Sequence, residues 1–250
     1  KVILHLHVGN QLEEHTQHKF FVWYLGKANS VVVLPDKWKN LLKEKYPSVK
    51  APVHVIYNAC EDVDSISYER HKHTLLFAGA LRPNKSCHLI LEAYAKIKDS
   101  YPDWHIDVLG SGIEEAHLKH LARELNIDDS VNFTGQLPRE ITKEYFQRAG
   151  IYCMCSKVEG FPMVVLEAWA YGVPVVATPV GGLPDVAVEG KNMCTFPFDD
   201  VNTLSQRLSE LMGNEEKRKE MSLYSRDFFR KHFSLSPINK SIVQLYKSLV

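Results

Sequence analysis

The sequence has 250 residues, enough for one large α/β domain or for one complete domain with part of another. Thirty basic and thirty acidic residues balance, so the overall charge gives no indication of nucleic acid as a partner. Five scattered cysteines, an odd number, argue against a disulfide framework, and no apolar run approaches the roughly 20 residues that span a bilayer. We therefore expect a cytoplasmic protein. Because the first residue is Lys1 and not Met, we also expect further sequence upstream.

The first 58 residues open with a predicted strand, Val2–Val8, which ends at the Gly9-Asn10 turn. His5 and His7 share one face of this strand. An HxH pair can bind a metal ion, but no third ligand lies at a suitable spacing. A histidine that faces a cleft and a histidine that only packs are the other interpretations. The next predicted elements are a helix over 17–28, a strand over Ser30–Leu34, a helix over Asp36–Tyr46 and a strand over Val53–Tyr57.

The predicted helix over residues 17–28, QHKFFVWYLGKA, places aromatic residues beside lysines. A helix of this composition can make peripheral contact with a membrane face. A packed amphipathic helix explains it equally well, and the sequence leaves both alternatives open.

Residues 60–73 are polar and charged and predict a linker. Beyond them, strands, glycine turns and helices alternate. The predicted strands are Thr74–Ala78, Trp104–Leu109, Val131–Thr134, Ile151–Cys155 and Val173–Ala177, and the predicted helices cover 87–102, Ile113–Leu125, Ile141–Arg148, a segment from near Pro162, Thr203–Met212, Glu215–His232 and Pro237–Leu249. The alternation predicts a doubly wound parallel sheet, in which ligands bind beyond the carboxyl ends of the strands. Cys153 and Cys155 share a strand face and are predicted to pack.

Residues 156–185 carry the strongest functional signal. A helix is predicted to begin near Pro162 and to end at Gly172, with Glu159 before it and Glu167 inside it. The free N–H groups and positive dipole end of a helix start bind anions such as phosphate. Because more than one helical turn separates the two acids, we expect each to bind hydroxyl groups separately, not to act as one acid–base pair.

These residues resemble the retaining, nucleotide-sugar-dependent glycosyltransferases of family 4, which have the GT-B fold. The family's E-x7-E element corresponds to Glu159 through Glu167, and the following AWAYGVPVVATPVGGLPD is similar to the family's helix, G-x-P turn, strand and Gly-Gly turn. Weaker matches are LFAGALRPNKS over 76–86 for the phosphate loop, LGSG over 109–112 for a G-x-G turn and FTGQL over 133–137 for the nucleobase-facing turn. The resemblance covers residues 53–235.

The resemblance implies a GT-B-type arrangement of Rossmann-like parts. Residues 1–58 correspond to the final part of an acceptor-binding domain, 59–73 to a linker, 74–235 to the nucleotide-sugar donor-binding domain and 236–250 to a C-terminal helix. The family's glycine-rich N-terminal loop has no counterpart in this sequence. The resemblance therefore implies an incomplete N-terminal Rossmann-like domain.

The resemblance also implies a function in polysaccharide biosynthesis at the inner face of the cell membrane. The enzyme would transfer a hexosyl or N-acetylhexosaminyl group from a nucleoside diphosphate sugar to a glycan, lipid-linked or other hydroxyl acceptor, with retention of anomeric configuration. A UDP-sugar is the favoured donor and a GDP-sugar the alternative. No cofactor or metal ion is implied, since a helix dipole and cations balance the phosphate charge. The catalytic residues implied are His7, Lys85 and Glu159, and the donor-binding residues are Gly79, Arg82, Lys85, Leu137, Glu159, Gly160, Phe161, Pro162, Met163, Val164 and Glu167.

The implied roles follow the parts of the donor. Lys85, Arg82 and the first N–H groups of the helix would stabilise the charge that grows on the β-phosphate. Glu159 would hold the sugar, Glu167 the ribose, and the backbone of Leu137 the base. The family's usual arginine is Ala80 here, so Arg82 is a substitute from a different backbone position. For each charged residue, a solvated surface position is the alternative interpretation.

Other classes fit parts of the sequence. A dinucleotide-dependent oxidoreductase would need a third glycine after the Gly110-Ser111-Gly112 turn, which is followed by Ile-Glu-Glu. A sugar-nucleotide-binding module without catalysis and a GT-B sugar-nucleotide epimerase share the fold, and fold alone does not establish activity.

Overall fold

The computed structural model describes residues 1–7, 19–63 and 73–249. Several predicted features lie outside these residues: the end of the first strand with its Gly9-Asn10 turn, the first two residues of the helix over 17–28, and most of the linker. The described residues form helices and two parallel sheets, which confirms the predicted α/β class.

The strands are β1 (Ile3–Leu6), β2 (Ser30–Val33), β3 (Val53–Val55), β4 (Thr74–Ala78), β5 (His105–Leu109), β6 (Val131–Gly135), β7 (Ile151–Met154), β8 (Val175–Ala177) and β9 (Met193–Thr195). The α-helices are α1 (Lys19–Lys27), α2 (Asp36–Lys45), α3 (His88–Ala95), α4 (Glu115–Glu124), α5 (Arg139–Arg148), α6 (Met163–Ala170), α7 (Val201–Met212), α8 (Glu215–His232) and α9 (Leu235–Leu249). Short 3₁₀ turns cover Pro83–Lys85, Lys98–Ser100, Asp128–Ser130 and Leu183–Asp185. No helix in the described ranges is long and apolar enough to cross a bilayer.

The smaller sheet has the strand order β1-β2-β3, and both pairings are parallel. Parallel strands that neighbour each other in sequence are joined by right-handed crossovers, which places α1 and α2 on the same face of this sheet. Leu25 and Leu42 from these two helices pack with Val31 and Val33 in one core cluster. The opposite face is covered by α9, whose Ile238 and Leu245 form a core cluster with Val32 of β2 and Ile56.

The larger sheet has the order β6-β5-β4-β7-β8-β9 with parallel pairing throughout. The chain runs outward from β4 to β6 and then returns to place β7 beside β4. Ligand crevices in such sheets form at this reversal, beyond the carboxyl ends of the two central strands. The loops that follow β4 and β7 therefore flank the expected site.

The larger sheet is buried in the way that is typical of parallel sheets, which are covered on both faces. Every residue of β7 is buried, as expected for a strand covered on both faces. Trp169 of α6 is fully buried, and its indole N–H donates to the carbonyl of Asn192 at 2.8 Å. Asp107 is also buried, but Arg148 lies 3.0 Å from its carboxylate, which compensates the cost of burying the charge.

Most predicted elements differ from the observed ones by one or two residues at their ends, and two differences are larger. The edge strand β9 was not predicted, because its three residues are too few to show a periodic pattern. The helix predicted over 87–102 ends at Ala95, and a 3₁₀ turn follows. The chain must reverse there to enter β5, and the Tyr94 hydroxyl fixes the reversal by donating to the Trp104 carbonyl at 2.5 Å.

Candidate functional site

The start of α6 presents an uncapped helix end at the crevice. Pro162 occupies the N-cap in an extended conformation and provides no side-chain hydrogen bond. The first N–H groups of a helix have no acceptor within the helix, so those of Met163 and Val164 are available to a ligand. Met163 is 38% exposed and Val164 is half-buried, whereas the opposite face of α6 is buried in the core. The open side of α6 therefore carries the partial positive charge of a helix start.

Glu159 lies in the loop before this helix and forms the central ion pair of the crevice. Its Oε1 accepts from the Lys85 Nζ at 2.5 Å and from the Ser156 hydroxyl at 2.7 Å. The two charged side chains are only 14% and 26% exposed, for Glu159 and Lys85 respectively. A backbone hydrogen bond of 2.9 Å from Lys157 to Asn84 joins the same two loops. The sequence prediction thus placed Lys85 and Glu159 in one site, and the structure brings them into direct contact.

Ser156 was missed by the sequence analysis. It is fully buried, and its carbonyl accepts from the Thr178 hydroxyl at 2.7 Å, which fixes the residue that orients Glu159. A serine three positions before a glutamate has no distinctive pattern in sequence, so no local signal identifies it.

Glycines allow the loops after β4 and β5 to approach closely. The Gly79 N–H donates to the Leu109 carbonyl at 2.9 Å, and the Leu81 N–H donates to Ser111 at 3.0 Å. Gly110 has a φ of +124°, and a Cβ there would meet the Gly79 oxygen at 1.9 Å. This turn therefore needs glycine for both its conformation and its space.

The Gly-Gly turn after β8 supports the loop that carries Glu159. The Gly182 N–H donates to the Gly160 carbonyl at 2.9 Å, and a Cβ on Gly181 would meet the same oxygen at 2.2 Å. The ring of Phe161 is 5% exposed and packs on Tyr57 with a centroid distance of 4.9 Å. The side chain of Phe161 is therefore structural, and only its backbone can serve a ligand.

Glu167 lines a separate cavity of about 290 Å³ beside the crevice. The cavity is also lined by Arg139, whose Nη2 lies 3.0 Å from the carboxylate of Glu61. Burial raises the pKa of Glu167, and the positive charge of Arg139 partly offsets this effect. Leu137 is half-buried and packs against the core cluster that includes residues of α6.

Arg82 and His7 were also predicted as site residues, and neither contacts the ion pair. Arg82 is exposed, and its side chain makes no hydrogen bond or ion pair within the described part of the chain. His7 is also exposed, and its ring stacks on that of His5 with a centroid distance of 6.2 Å. Partial burial and the neighbouring His7 lower the pKa of His5. Within residues 1–7, 19–63 and 73–249, no three His, Cys, Asp or Glu side chains are grouped as a metal site.

The crevice combines a lysine, a carboxylate and the uncapped start of α6, and Glu167 lies further along the same helix. A lysine and an uncapped helix start can bind an anion with phosphate chemistry. Carboxylates before the helix and inside it can accept hydrogen bonds from hydroxyl groups on either side of that anion.

Comparison with known proteins gives a consistent result. Residues 62–228 match the family model of glycosyl transferases group 1. An uncharacterized glycosyltransferase of Haemophilus influenzae is 30% identical over 236 residues, which cover 90% of this chain and 66% of that protein. The D-inositol 3-phosphate glycosyltransferase of Corynebacterium urealyticum is 36% identical over 180 residues, which cover 69% of this chain and 42% of that protein. The chain therefore spans only part of the length of these relatives.

Solved structures share the fold. HepE of Anabaena, in complex with UDP, superposes with a TM-score of 0.83 and 19% identity, covering 98% of this chain and 72% of that one. At this level of identity the likeness extends to the fold alone.

Proposed function

The chain belongs to the glycosyl transferases group 1 family, and from this premise we propose that it transfers a sugar from a nucleoside diphosphate sugar to a hydroxyl acceptor. UDP-sugars are the favoured donors and GDP-sugars the alternative. The group transferred is a hexosyl or N-acetylhexosaminyl group, and the acceptor is a glycan, a lipid-linked compound or another compound with a hydroxyl group.

One observation carries the proposal: the Lys85–Glu159 ion pair lies beside the uncapped start of α6. A partly buried lysine that is paired only with a nearby carboxylate can change partner when a more highly charged anion arrives. The diphosphate of a donor would take Lys85, and Glu159 would then be free to accept hydrogen bonds from the sugar. The ion pair thus keeps both groups in position for the donor.

The proposed chemistry depends on stabilising the leaving group. As the bond from the anomeric carbon to the β-phosphate oxygen breaks, negative charge grows on that phosphate. Lys85 and the N–H groups of Met163 and Val164 oppose this charge, so their contribution increases toward the transition state. Arg82 is proposed to add a second cation once the donor is bound.

The remaining site residues are proposed to bind the two ends of the donor. The backbone of Gly79, Gly160 and Phe161 lines the sugar and phosphate end, with Pro162 setting the entry into the helix. Glu167 accepts hydrogen bonds from the ribose hydroxyls, and the backbone of Leu137 contacts the base. His7 is proposed to face the acceptor from the smaller sheet.

Retention of anomeric configuration and the division of the chain are proposals that rest on the family resemblance. The proposed division assigns 1–58 to the acceptor side, 59–73 to a linker, 74–235 to donor binding and 236–250 to a C-terminal helix. A proton NMR coupling constant of the anomeric proton in the first product formed distinguishes retention from inversion.

A second candidate, a sugar-nucleotide-binding module without catalysis, is favoured by one observation. Ala80 stands where the resemblance would place an arginine, and the nearby Arg82 side chain has no partner among the described residues. A donor site that lacks one cation would still bind the diphosphate but would stabilise its leaving charge less.

Calorimetric titration with UDP and with UDP-glucose or UDP-N-acetylglucosamine tests the donor site. We expect Glu167→Gln to lower the affinity for both ligands by roughly tenfold, because a hydrogen bond to a charged group contributes about 1.5–3 kcal/mol to binding. Glu159→Gln should lower only the affinity for the UDP-sugar. The affinity for UDP should stay equal or rise, because the substitution releases Lys85 from its ion pair. Glu220→Gln, at an exposed position on α8, is the matched control. Failure of UDP, GDP and ADP to bind would reject the donor assignment.

Release of UDP from UDP-sugars, with and without glycan or lipid-linked acceptors, separates the two candidates. Acceptor-dependent release that Lys85→Met abolishes supports the transferase. Donor binding without release in the longest natural form of the protein would support the binding module.

A further inference from the structure

Helix α2 receives its N-terminal cap from a turn of the larger sheet. Pro35 occupies the N-cap and provides no side-chain hydrogen bond. The Asp36 N–H donates instead to the carboxylate of Asp185, 149 positions later, at 2.8 Å. A carboxylate beside a helix start satisfies an N–H that has no acceptor within the helix, and its charge opposes the positive end of the helix dipole. The cap that α2 lacks locally therefore comes from the other sheet.

One face of α2 is fixed to the smaller sheet. Trp38 and Leu42, about one turn apart, are both buried and belong to the same core cluster as Val33 of β2. Only Leu34 and Pro35 separate the end of β2 from the first residue of α2. A contact with the start of α2 is therefore a contact with the smaller sheet.

The turn that carries Asp185 also touches the loop that carries Glu159. The Gly182 N–H donates to the Gly160 carbonyl at 2.9 Å. A Cβ on Gly182 would meet the Phe161 ring at 2.7 Å and the Pro35 side chain at 3.3 Å. One short turn thus contacts the Glu159 loop and the entry into α2 at the same time.

The contacts between the sheets lie at the carboxyl ends of their strands. Asp36 and Tyr57 follow β2 and β3, whereas Asp185 and Phe161 follow β8 and β7. The first of each set are joined by the cap, and the rings of Tyr57 and Phe161 pack with a centroid distance of 4.9 Å. The carboxyl ends of parallel strands are where such sheets bind ligands. The cap therefore helps to set how far apart the two ligand-binding edges lie.

We propose that Asp185 is a positioning residue for the proposed transfer, because its cap on α2 sets the smaller sheet against the Glu159 loop. The inference rests on the proposed function, in which the donor sugar lies at Glu159 and the acceptor lies on the smaller sheet. The acceptor oxygen must come within about 3–3.5 Å of the anomeric carbon, and a misplacement of roughly 1 Å can slow a reaction about 100-fold. Asp185 acts through α2, so it should affect transfer and not the binding of the diphosphate.

Kinetics of the longest natural form of the protein test this role. With an active acceptor, Asp185→Ala should lower UDP release by about fivefold or more, since a helix cap is lost. UDP affinity, measured by calorimetry, should change by less than about twofold. Asp185→Asn keeps an oxygen that can accept the same hydrogen bond, and asparagine caps helices about as well as aspartate, so this variant should retain at least about half of the natural rate.

Asp200→Ala is the matched control. Asp200 caps α7 by accepting from the Thr203 N–H at 2.9 Å, so the substitution also removes an aspartate cap, but both partners belong to the same helix start. It should leave turnover and UDP affinity unchanged. A similar fall in melting temperature in the two alanine variants would show that stability alone does not explain the loss of turnover.

Hydrogen exchange detects the cap without any activity. In Asp185→Ala the Asp36 amide should exchange about fivefold faster, because it loses its acceptor, and the Thr203 amide should be unaffected. In Asp200→Ala the two amides should respond in the opposite way. NMR spectra that resolve the two amides provide the measurement.

Four results would overturn the proposal. Natural turnover in Asp185→Ala, or an equal loss in Asp200→Ala, would remove the positioning role. An equal loss of UDP affinity and turnover would assign Asp185 to the donor site instead. Turnover in Asp185→Asn as low as in Asp185→Ala would show that the hydrogen-bonded oxygen is not what matters. An unchanged Asp36 exchange rate in Asp185→Ala would show that the cap is absent in solution. Failure of the natural protein to bind UDP would instead reject the proposed function, and the transfer role with it, while the exchange result could still show the cap.

Discussion

The contact between Lys85 and Glu159 is the residue-scale feature on which the proposed chemistry depends. Both side chains are mostly buried and lie on loops that follow the two central strands. Because the two charges pair with each other, neither bears the large cost of an unpaired buried ion. Because Ser156 holds the same carboxylate oxygen, Glu159 stays in place when Lys85 changes partner.

Substitution of Lys85 tests this exchange. Lys85→Met should weaken UDP binding by about tenfold or more, since a charge-assisted hydrogen bond to the phosphate is lost. Lys96→Met, at an exposed lysine outside the loops, is the control. Titration calorimetry measures both, and equal affinities of the Lys85 variant and the control would contradict the role.

Glu167 should make donor affinity depend on pH. Burial raises the pKa of this carboxyl, and Arg139 lowers it in part. The ionised carboxylate accepts hydroxyl hydrogen bonds better than the protonated acid, so UDP affinity should fall as pH decreases through this pKa. Other titratable or charged groups around the cavity are Cys60, Glu61, Asp62, Lys143 and Tyr171.

Arg139→Gln removes the charge that lowers this pKa, so the loss of UDP affinity should begin at higher pH than in the natural protein. Arg123→Gln, on the exposed end of α4, should leave the profile unchanged. Calorimetry across roughly pH 5 to 8 covers the range above the ordinary glutamate value. A shift toward lower pH in Arg139→Gln would contradict the assignment.

At the scale of the elements, the glycine turns decide how closely the loops approach. Gly110 and Gly190 both have positive φ, at +124° and +71°. A Cβ on Gly110 would meet the Gly79 oxygen at 1.9 Å, whereas nothing lies within 4 Å of one on Gly190. Comparing substitutions at Gly110 and Gly190 therefore distinguishes the effect of backbone strain from that of steric overlap.

Gly110→Ala should lower the free energy of unfolding by more than about 3 kcal/mol, because it adds a backbone clash to the conformational strain. Gly190→Ala should lower the free energy of unfolding by about 1 kcal/mol, from conformational strain alone. Thermal unfolding should show a drop of roughly 2–4 °C per kcal/mol for a chain of this size. Similar losses in the two variants would mean that the loops after β4 and β5 can separate.

Sequence patterns predicted the elements well where the pattern was long or bounded by clear turns. Thr74–Ala78 and Glu215–His232 were predicted with the bounds that the structure has. The three-residue strand Met193–Thr195 was not, because its pairing with β8 provides its stability and leaves no local pattern. The early end of α3 likewise depends on the distant contact of Tyr94 with Trp104.

The site was predicted in the same partial way. The E-x7-E spacing placed Glu159 before a helix and Glu167 inside it, as the structure shows. The ion pair with Lys85 joins residues 74 positions apart, and the Arg139–Glu61 pair joins residues 78 positions apart. Such contacts depend on strand order, which the alternation of elements does not determine.

At the scale of the whole molecule, the two sheets meet beside the candidate site. The ring of Phe161 lies between Tyr57 and Phe233, with centroid distances of 4.9 Å and 5.6 Å. The Asp36 N–H donates to the Asp185 carboxylate at 2.8 Å across the same boundary. Burial, followed by the charges of Asp185 and Asp36, raises the pKa of Tyr57 to about 12, so its hydroxyl stays neutral.

The position of Phe161 links the site to the contact between the sheets. Its backbone belongs to the loop of Glu159, and its side chain is packed against a residue that follows β3. Movement of the smaller sheet would therefore shift the loop that is proposed to hold the donor sugar. Phe146 is also buried, at 1% exposure, but its ring stacks on Tyr171, which likewise belongs to the part of the chain that forms the larger sheet.

Comparison of Phe161→Ala with Phe146→Ala tests this link. Each should lower the free energy of unfolding by about 3–5 kcal/mol, the usual cost of removing a buried phenyl group. Only Phe161→Ala should also loosen the smaller sheet locally, because it removes the ring shared by both sheets. Hydrogen exchange should then show the amides of Val31–Val33 losing protection relative to those of β5, by at least tenfold in rate. In Phe146→Ala the exchange rates of the Val31–Val33 amides and of the β5 amides should rise by similar factors. Equal loss of protection in β2 and β5 of Phe161→Ala would mean that the two sheets unfold as one unit. The smaller sheet could then not move separately and alter the loop that is proposed to hold the donor.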